Sequence, residues 1–182
     1  MYISQTFSRL LLAIPFIFLS VSLLAEPALE EVVVSARKVD ESVQDVPIAM
    51  SVFTASDIDD AGIERPEDFI ALTPNVVMAN TVNVGDTLVT IRGLTSTRDA
   101  ESNFAFVVDG VLQTNPNAFN RELLDIAQIE VLKGPQGALY GRNATSGAIL
   151  ITTKAPSEES ESAAVVGMGV NNSSKLQYVN SG

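Results

Sequence analysis

The sequence predicts a small α+β domain, a mixed sheet carrying short helices. Two observations lead to this class. A strand signal at Ile48–Val52 is followed by two helix signals, ending at Gly62 and at Pro74. Several strand signals then follow without further long helices: Leu88–Gly93, Ala105–Leu112 and the two arms of Ile129–Thr153. A third observation bounds the domain. An apolar leader precedes it, and an acidic linker with weakly alternating residues follows it.

Residues Met1–Arg9 carry one positive charge, and Leu10–Leu24 is almost wholly apolar until Ala25-Glu26 ends the run. A run of roughly 15 apolar residues is short for a membrane helix of about 20 and fits the core of a secretory signal. Export with cleavage after Ala25 is expected, so residues 1–25 form the signal peptide, although Leu23 is large for its place before the cut. Glu26–Glu31, with Pro27, begins a flexible extension. Val32-Val33-Val34-Ser35-Ala36 is then a short β-prone run set between charges. Its residues alone leave two roles open: the first strand of the domain, or a strand offered to the sheet edge of another chain. Arg37–Val46 reads as a polar linker.

The organised domain begins at Pro47. Ile48, Met50 and Val52 alternate with Ala49 and Ser51, as a strand requires. Ser56 is placed to cap a helix from Asp57, with acids in its first turn and Gly62 at its end. Pro66 takes the first position of a second helix, whose apolar face is Phe69, Ile70 and Leu72 before Pro74 stops it. Asp57, Asp59, Gly62 and Asp68 also fall on a calcium-loop spacing. Ala61 and Pro66 break that template, and the helical reading explains the same residues.

Leu88–Gly93 reads as a strand ending in glycine, and Leu94–Asn103 as a polar loop. Ala105–Leu112 is a hairpin turning on Asp109-Gly110. Gln113–Asn120 is a second polar loop, and Glu122–Asp125 a helical turn. Ile129 and Val131 alternate with Glu130 and Leu132 into Lys133-Gly134-Pro135. A glycine turn, Gly137–Gly141, and the strand Ala148–Thr153 close the domain, which spans 47–154. Ala155–Glu161 is an acidic linker. Ser162–Val170 alternates weakly, so 155–182 offers one strand and the start of a second.

Composition removes several functions. Histidine and cysteine are both absent, which excludes imidazole bases, Ser-His-Asp triads, His-ligated zinc, thiolate metal sites and disulfides. Twenty-two acids stand against 11 bases, a net charge of −11, and such a chain is repelled by nucleic acid. Gly134–Gly141 lacks the GK[ST] ending of a phosphate loop. No spacing among the acids selects a glycosidase pair. No enzyme, catalytic residue, metal or cofactor is expected.

Three pieces stand in a telling order: IRGL (Ile91–Leu94), FVVDGV (Phe106–Val111) and IEVLKGPQGALYGRNATSGAILITTK (Ile129–Lys154). With the helix pair DIDDAGIERPEDFIALTPNV, they resemble the plug domain of TonB-dependent outer-membrane receptors. The resemblance covers nearly residues 1–160. It implies that Glu31, Val32, Val33, Val34, Ser35 and Ala36 form a TonB box, docking the C-terminal domain of TonB from the periplasm. It implies that 26–46 is a periplasmic extension, that 47–154 is a plug inside a barrel of about 22 strands, and that 155–182 starts that barrel. Arg92 and Lys133 are then expected to pair with carboxylates on the barrel wall. Partners are the chain's own barrel, the outer membrane of a Gram-negative bacterium and a small ligand such as an iron chelate, vitamin or glycan. The polar loops 94–103 and 113–120 are candidates for the plug's ligand-facing apex. With so little sequence beyond Lys154, a truncated barrel and a fragment of the importer are expected. A stand-alone periplasmic binding or regulatory module with the plug fold is the alternative.

Overall fold

The computed structural model describes residues 31–80, 87–96, 101–115, 118–156, 161–168 and 174–181. The chain divides into Met1–Glu30 and Glu31–Gly182. The expected signal peptide and residues 26–30 of the extension belong to the first unit and lie outside the described residues.

The centre of the second unit is a mixed five-stranded sheet. It is built from β3 (Met50–Thr54), β7 (Phe104–Val108), β8 (Val111–Leu112), β9 (Ile126–Lys133) and β10 (Gly147–Thr153), in the order β3-β9-β10-β7-β8. β10 runs parallel to β7, and the other neighbours are antiparallel. The alternation read at Ile129–Leu132 predicts one wet face. Instead Ile129, Val131 and Leu132 are fully buried and Glu130 is 2% exposed. Both faces of the sheet are covered, so its central strands bury every side chain there.

On the first face, Ile129, Val131, Ile149, Ile151, Phe104 and Phe106 pack with α1 (Ala55–Ala61), α2 (Pro66–Ala71) and the segments around them. Phe119 is central to this layer. Its ring meets Phe104 at 5.2 Å, Phe106 at 5.0 Å and Phe69 at 6.4 Å, each edge-on, an arrangement that aromatic quadrupoles favour. The polar composition of 113–120 hid this anchor, and Phe119 is 3% exposed. On the second face, Leu132, Ala105, Val107, Ala148 and Leu150 pack with Val34, Ala36, Val46, Ala144 and Tyr140 of α3 (Gly137–Tyr140).

Local chemistry places the helices with small corrections. α1 starts two residues earlier than the Ser56 cap predicts, because Thr54 closes a capping box with Asp57. Thr54 N donates to Asp57 Oδ2 at 2.9 Å and Thr54 Oγ1 accepts from Asp57 N at 3.3 Å, satisfying two end donors at once. The donations to Oδ2 from Thr54 N and from Thr54 Oγ1, the latter at 2.7 Å, hold the Asp57 carboxyl below its ordinary value. Gly62 ends α1 in the left-handed region at φ 64°, as the sequence predicts. Pro66 opens α2, and Phe69 and Ile70 are buried while Leu72 is 54% exposed. Leu72 lies past the last helical residue and so leaves the buried stripe.

β4 (Val76–Asn80), β5 (Thr87–Ile91) and β6 (Leu94–Thr95) form a separate antiparallel sheet. Leu94-Thr95 is therefore paired strand, whereas the sequence predicts loop. The Asp109-Gly110 turn is as predicted, with φ of 48° and 77° joining β7 to β8. Asp109 also clips the end of β10: its carboxylate accepts from Thr153 N at 2.8 Å and Thr153 Oγ1 at 3.0 Å. No helical turn forms over Glu122–Asp125. β11 (Glu161–Met168) pairs with β12 (Ser174–Ser181) along eight residues each, so two strands form here.

Candidate functional site

The site predicted from sequence has two parts, and β9 connects them. The first is the segment Glu31–Ala36. Val33-Val34 forms β1 and pairs with β2 (Glu41–Ser42), with Val33 opposite Ser42 and Val34 opposite Glu41. Arg37–Val46, read as a linker, is thus the return arm of a small hairpin, and its Val46 is buried. The apolar residues of the segment divide in two. Val34 and Ala36 enter the second core cluster at 1% and 0% exposure, whereas Val33 is 48% exposed.

Successive residues of a strand turn their backbone groups to opposite edges. Val32 O accepts from Val43 N at 3.0 Å on the β2 side. Val33 and Ser35 therefore turn the other way, and side chains of the sheet meet them there. Gln128 Nε2 donates to Val33 O at 2.9 Å. Ser35 N and Ser35 Oγ donate to Glu130 Oε1 at 2.9 and 3.2 Å. At the end of the segment, Tyr140 Oη donates to Ala36 O at 2.9 Å. The Lys38 ammonium lies 5.6 Å above the Tyr140 ring, within cation–π range.

Burial dominates the electrostatics here. Desolvation pushes the Glu130 carboxyl above its ordinary value; the Ser35 donors oppose the rise and the charge of Asp40 adds to it. Glu130 Oε2 is buried and has no hydrogen-bond partner. Burial, then the Glu130 charge, pushes the Tyr140 hydroxyl up to about 12, so it stays a donor to Ala36 throughout the neutral range. Beside this segment a cavity of about 530 Å³ opens, lined by Ser35, Lys38, Asp40, Leu112, Tyr140 and Leu150 among others.

The second part is Arg92 with Lys133. Sequence places them at the ends of neighbouring strands. Lys133 does end β9, but Arg92 sits in the tight turn between β5 and β6, in the other sheet, at φ 51°. The Arg92 guanidinium lies against Gly134, the residue after Lys133: a Cβ there would lie 2.8 Å from Arg92 Nη1. Lys133 Nζ donates to Ser51 Oγ at 3.0 Å. Desolvation and then the Arg92 charge lower its pKa. None of the ion pairs found among the described residues involves either cation.

The expected apex loops are partly in view. Residues 97–100 and 116–117 lie outside the described residues. At the base of the first loop, Ser96 Oγ donates to Asn103 Oδ1 at 2.9 Å, and Ser146 Oγ donates to Asn103 O at 3.0 Å. Among the described residues, no group of three or more potential metal ligands occurs.

Sequence reasoning singled out Glu31–Ala36, Arg92 and Lys133. It missed Gln128, Glu130 and Tyr140, whose roles depend on partners about a hundred positions away. One local signal was present: a glutamate set among Ile129, Val131 and Leu132 needs donors if the strand is central.

Fold and site together define a small sheet module that carries its own short strand on one face, with one cation ending β9 and another in the β5–β6 turn. A family model described as the TonB-dependent Receptor Plug Domain matches residues 42–148, and the chain belongs to that family. The pesticin receptor of Yersinia pestis is 30% identical over 126 residues, which cover 69% of this chain and 19% of that protein. The vitamin B12 transporter BtuB of Vibrio vulnificus is 31% identical over 146 residues, covering 77% of this chain and 23% of that protein. The crystal structure of the ferric yersiniabactin uptake receptor FyuA from Yersinia pestis superposes with a TM-score of 0.66 at 27% identity, over 72% of this chain and 21% of that one. These relatives are receptors and transporters, and the chain spans about a fifth of their length.

Proposed function

We propose that this chain is the plug and TonB-docking portion of a ligand-gated importer of the outer membrane. The observation that carries the docking reading is the form of Glu31–Ala36. It holds a two-residue strand, β1, paired with β2 in a sheet separate from the five-stranded one, with Ser35 O accepting from Lys38 N and side chains of β9 and α3 holding the rest. A strand so placed can offer main-chain groups to an incoming sheet edge, for which its side chains matter little. The C-terminal domain of TonB is the partner this fits, acting from the periplasm after export of the chain.

Arg92 and Lys133 are assigned to contacts with carboxylates of an enclosing barrel. Their mutual proximity is unfavourable unless an anion stands opposite, and Lys133 lacks the fork that would make such a pair directional. The β11–β12 pair supports a barrel start. Ala164, Val166, Met168, Leu176 and Tyr178 are all exposed and share one face, and Val166, Met168 and Leu176 are 70%, 91% and 77% exposed. Eight-residue strands with an outward apolar row approach the length a membrane β-strand needs. The cargo assigned is a small nutrient of the kind the relatives carry, a ferric chelate or vitamin, with a glycan the further option.

The test is a pull-down of the TonB C-terminal domain with a peptide spanning Glu30–Ala36. Binding that is abolished by a proline at Val33 is the expected result. Absence of binding by the unmodified peptide leaves Val32–Val34 as an ordinary first strand.

A further inference from the structure

We propose that Gln128 and Glu130 of β9 form a side-chain latch over the docking strand, occupying the one backbone edge through which it could take a partner strand. The inference rests on the docking reading of Glu31–Ala36 and names what regulates that site. Its basis is the alternation of backbone groups. The β2 edge of the segment is used by the hairpin, so an incoming strand has only the edge that presents Val33 O and Ser35 N. Those two groups already bond to Gln128 and Glu130, at 2.9 Å each. Gln128 Nε2 also donates to Glu130 Oε1 at 3.3 Å, tying the two latch groups together.

Three features make this a latch and not merely packing. The side chains come from the second strand of the sheet, which is hydrogen-bonded on both flanks to β3 and β10, so the holding groups are rigid. The segment's own ladder is two residues long, so a large part of its hydrogen bonding comes from those side chains. Glu130 is 2% exposed with one oxygen unpartnered, which means that the closed arrangement carries an unsatisfied buried acceptor. Water satisfies that oxygen when the segment leaves. The closed state is therefore held without being deeply stabilised, as a contact that must open requires. Tyr140, through Ala36 O, secures the end of the segment and lies off the pairing edge.

The test uses the full chain and three variants: Glu130→Ala, Gln128→Ala and Glu130→Gln. Amide hydrogen exchange is followed over residues 32–36 and, as a core reference, over 147–153. Affinity for the TonB C-terminal domain is measured for the full chain and for the free Glu30–Ala36 peptide. Glu130→Ala is expected to speed exchange over 32–36 at least tenfold with the core reference unchanged, and to tighten TonB binding by a similar factor towards that of the peptide. Gln128→Ala is expected to give about a threefold change, and Glu130→Gln, which keeps an acceptor for Ser35 N, less than that. Exchange and affinity unchanged in both alanine variants, while the free peptide still binds TonB, overturn the latch and leave the docking reading intact. If Glu130→Ala also loosens 147–153, Gln128→Ala decides, and unchanged exchange over 32–36 in that variant overturns the latch. A peptide that fails to bind defeats the docking reading, and the exchange measurement then judges the contact alone.

Discussion

Gly137 and Gly147 stand ten positions apart, yet replacing each with alanine is expected to have different effects. A Cβ on Gly147 would lie 2.2 Å from Leu132 O and 3.3 Å from Ile91 Cδ1, where ordinary contact starts at 3.4 Å. The clash is with backbone of the partner strand, so it cannot be relieved by turning a side chain. β10 must move from β9 by more than an ångström at the Gly147–Lys133 and Ala148–Leu132 pairs. A shift of that size breaks about two ladder hydrogen bonds at roughly 0.5–1.5 kcal/mol each, and forced overpacking adds about 1–3 kcal/mol. The expected cost is about 3–4 kcal/mol. Gly137 has nothing within 4 Å of its would-be Cβ and opens α3, so alanine there is expected to be neutral or stabilising by roughly 0.5–1 kcal/mol. Urea unfolding of the full chain, followed by far-ultraviolet circular dichroism, separates the two. With a slope of roughly 2 kcal/mol per molar, Gly147→Ala lowers the midpoint by about 1.5–2 M. A Gly147→Ala midpoint within ~0.3 M of the parent, or an equal fall in Gly137→Ala, refutes the steric reasoning.

Two further outcomes follow from the site. Glu130 has a raised pKa in the fold, so its contribution to stability is fully present below the ordinary value of 4.5 and is lost as pH rises through the raised value. Asp57 runs the other way: its contribution is present above 3.8 and is lost as pH falls through its lowered value. Urea midpoints are therefore expected to rise on acidification from neutral pH towards 4.5, and Glu130→Gln to flatten that rise; an identical slope in the variant rejects the assignment. In a full-length receptor carrying this plug, Arg92→Glu or Lys133→Glu is expected to change ligand uptake at least severalfold through altered plug release, and unchanged uptake in both removes them as barrel contacts.

Much of the fold is legible locally. Asp109-Gly110 turns the chain because both positions take positive φ, which Asp tolerates and Gly prefers. Gly62 ends α1, and Pro66 starts α2 at a position whose amide needs no partner. These choices are made by sterics within a few residues, so they survive reading without a structure. The move of the α1 cap from Ser56 to Thr54 is local as well, since Thr54 and Asp57 close the capping box between them. Phe119, in its polar surroundings, is different. Its burial is decided by rings from α2 and β7, not by its neighbours in sequence.

The sequence by itself determined the first two helices and most strands of the main sheet, two tight turns, the family and the candidate docking segment. Only the tertiary structure decided what that segment touches. Alternation at Ile129–Leu132 marks a strand but not how many of its faces are covered. Placing β9 between β3 and β10, with a layer on each side, turns Glu130 from a solvent-facing residue into the acceptor for Ser35, 95 positions away. The physical reason is range: dihedral preferences act between near neighbours, while burial and hydrogen-bond completion are settled by whatever the folded chain brings alongside.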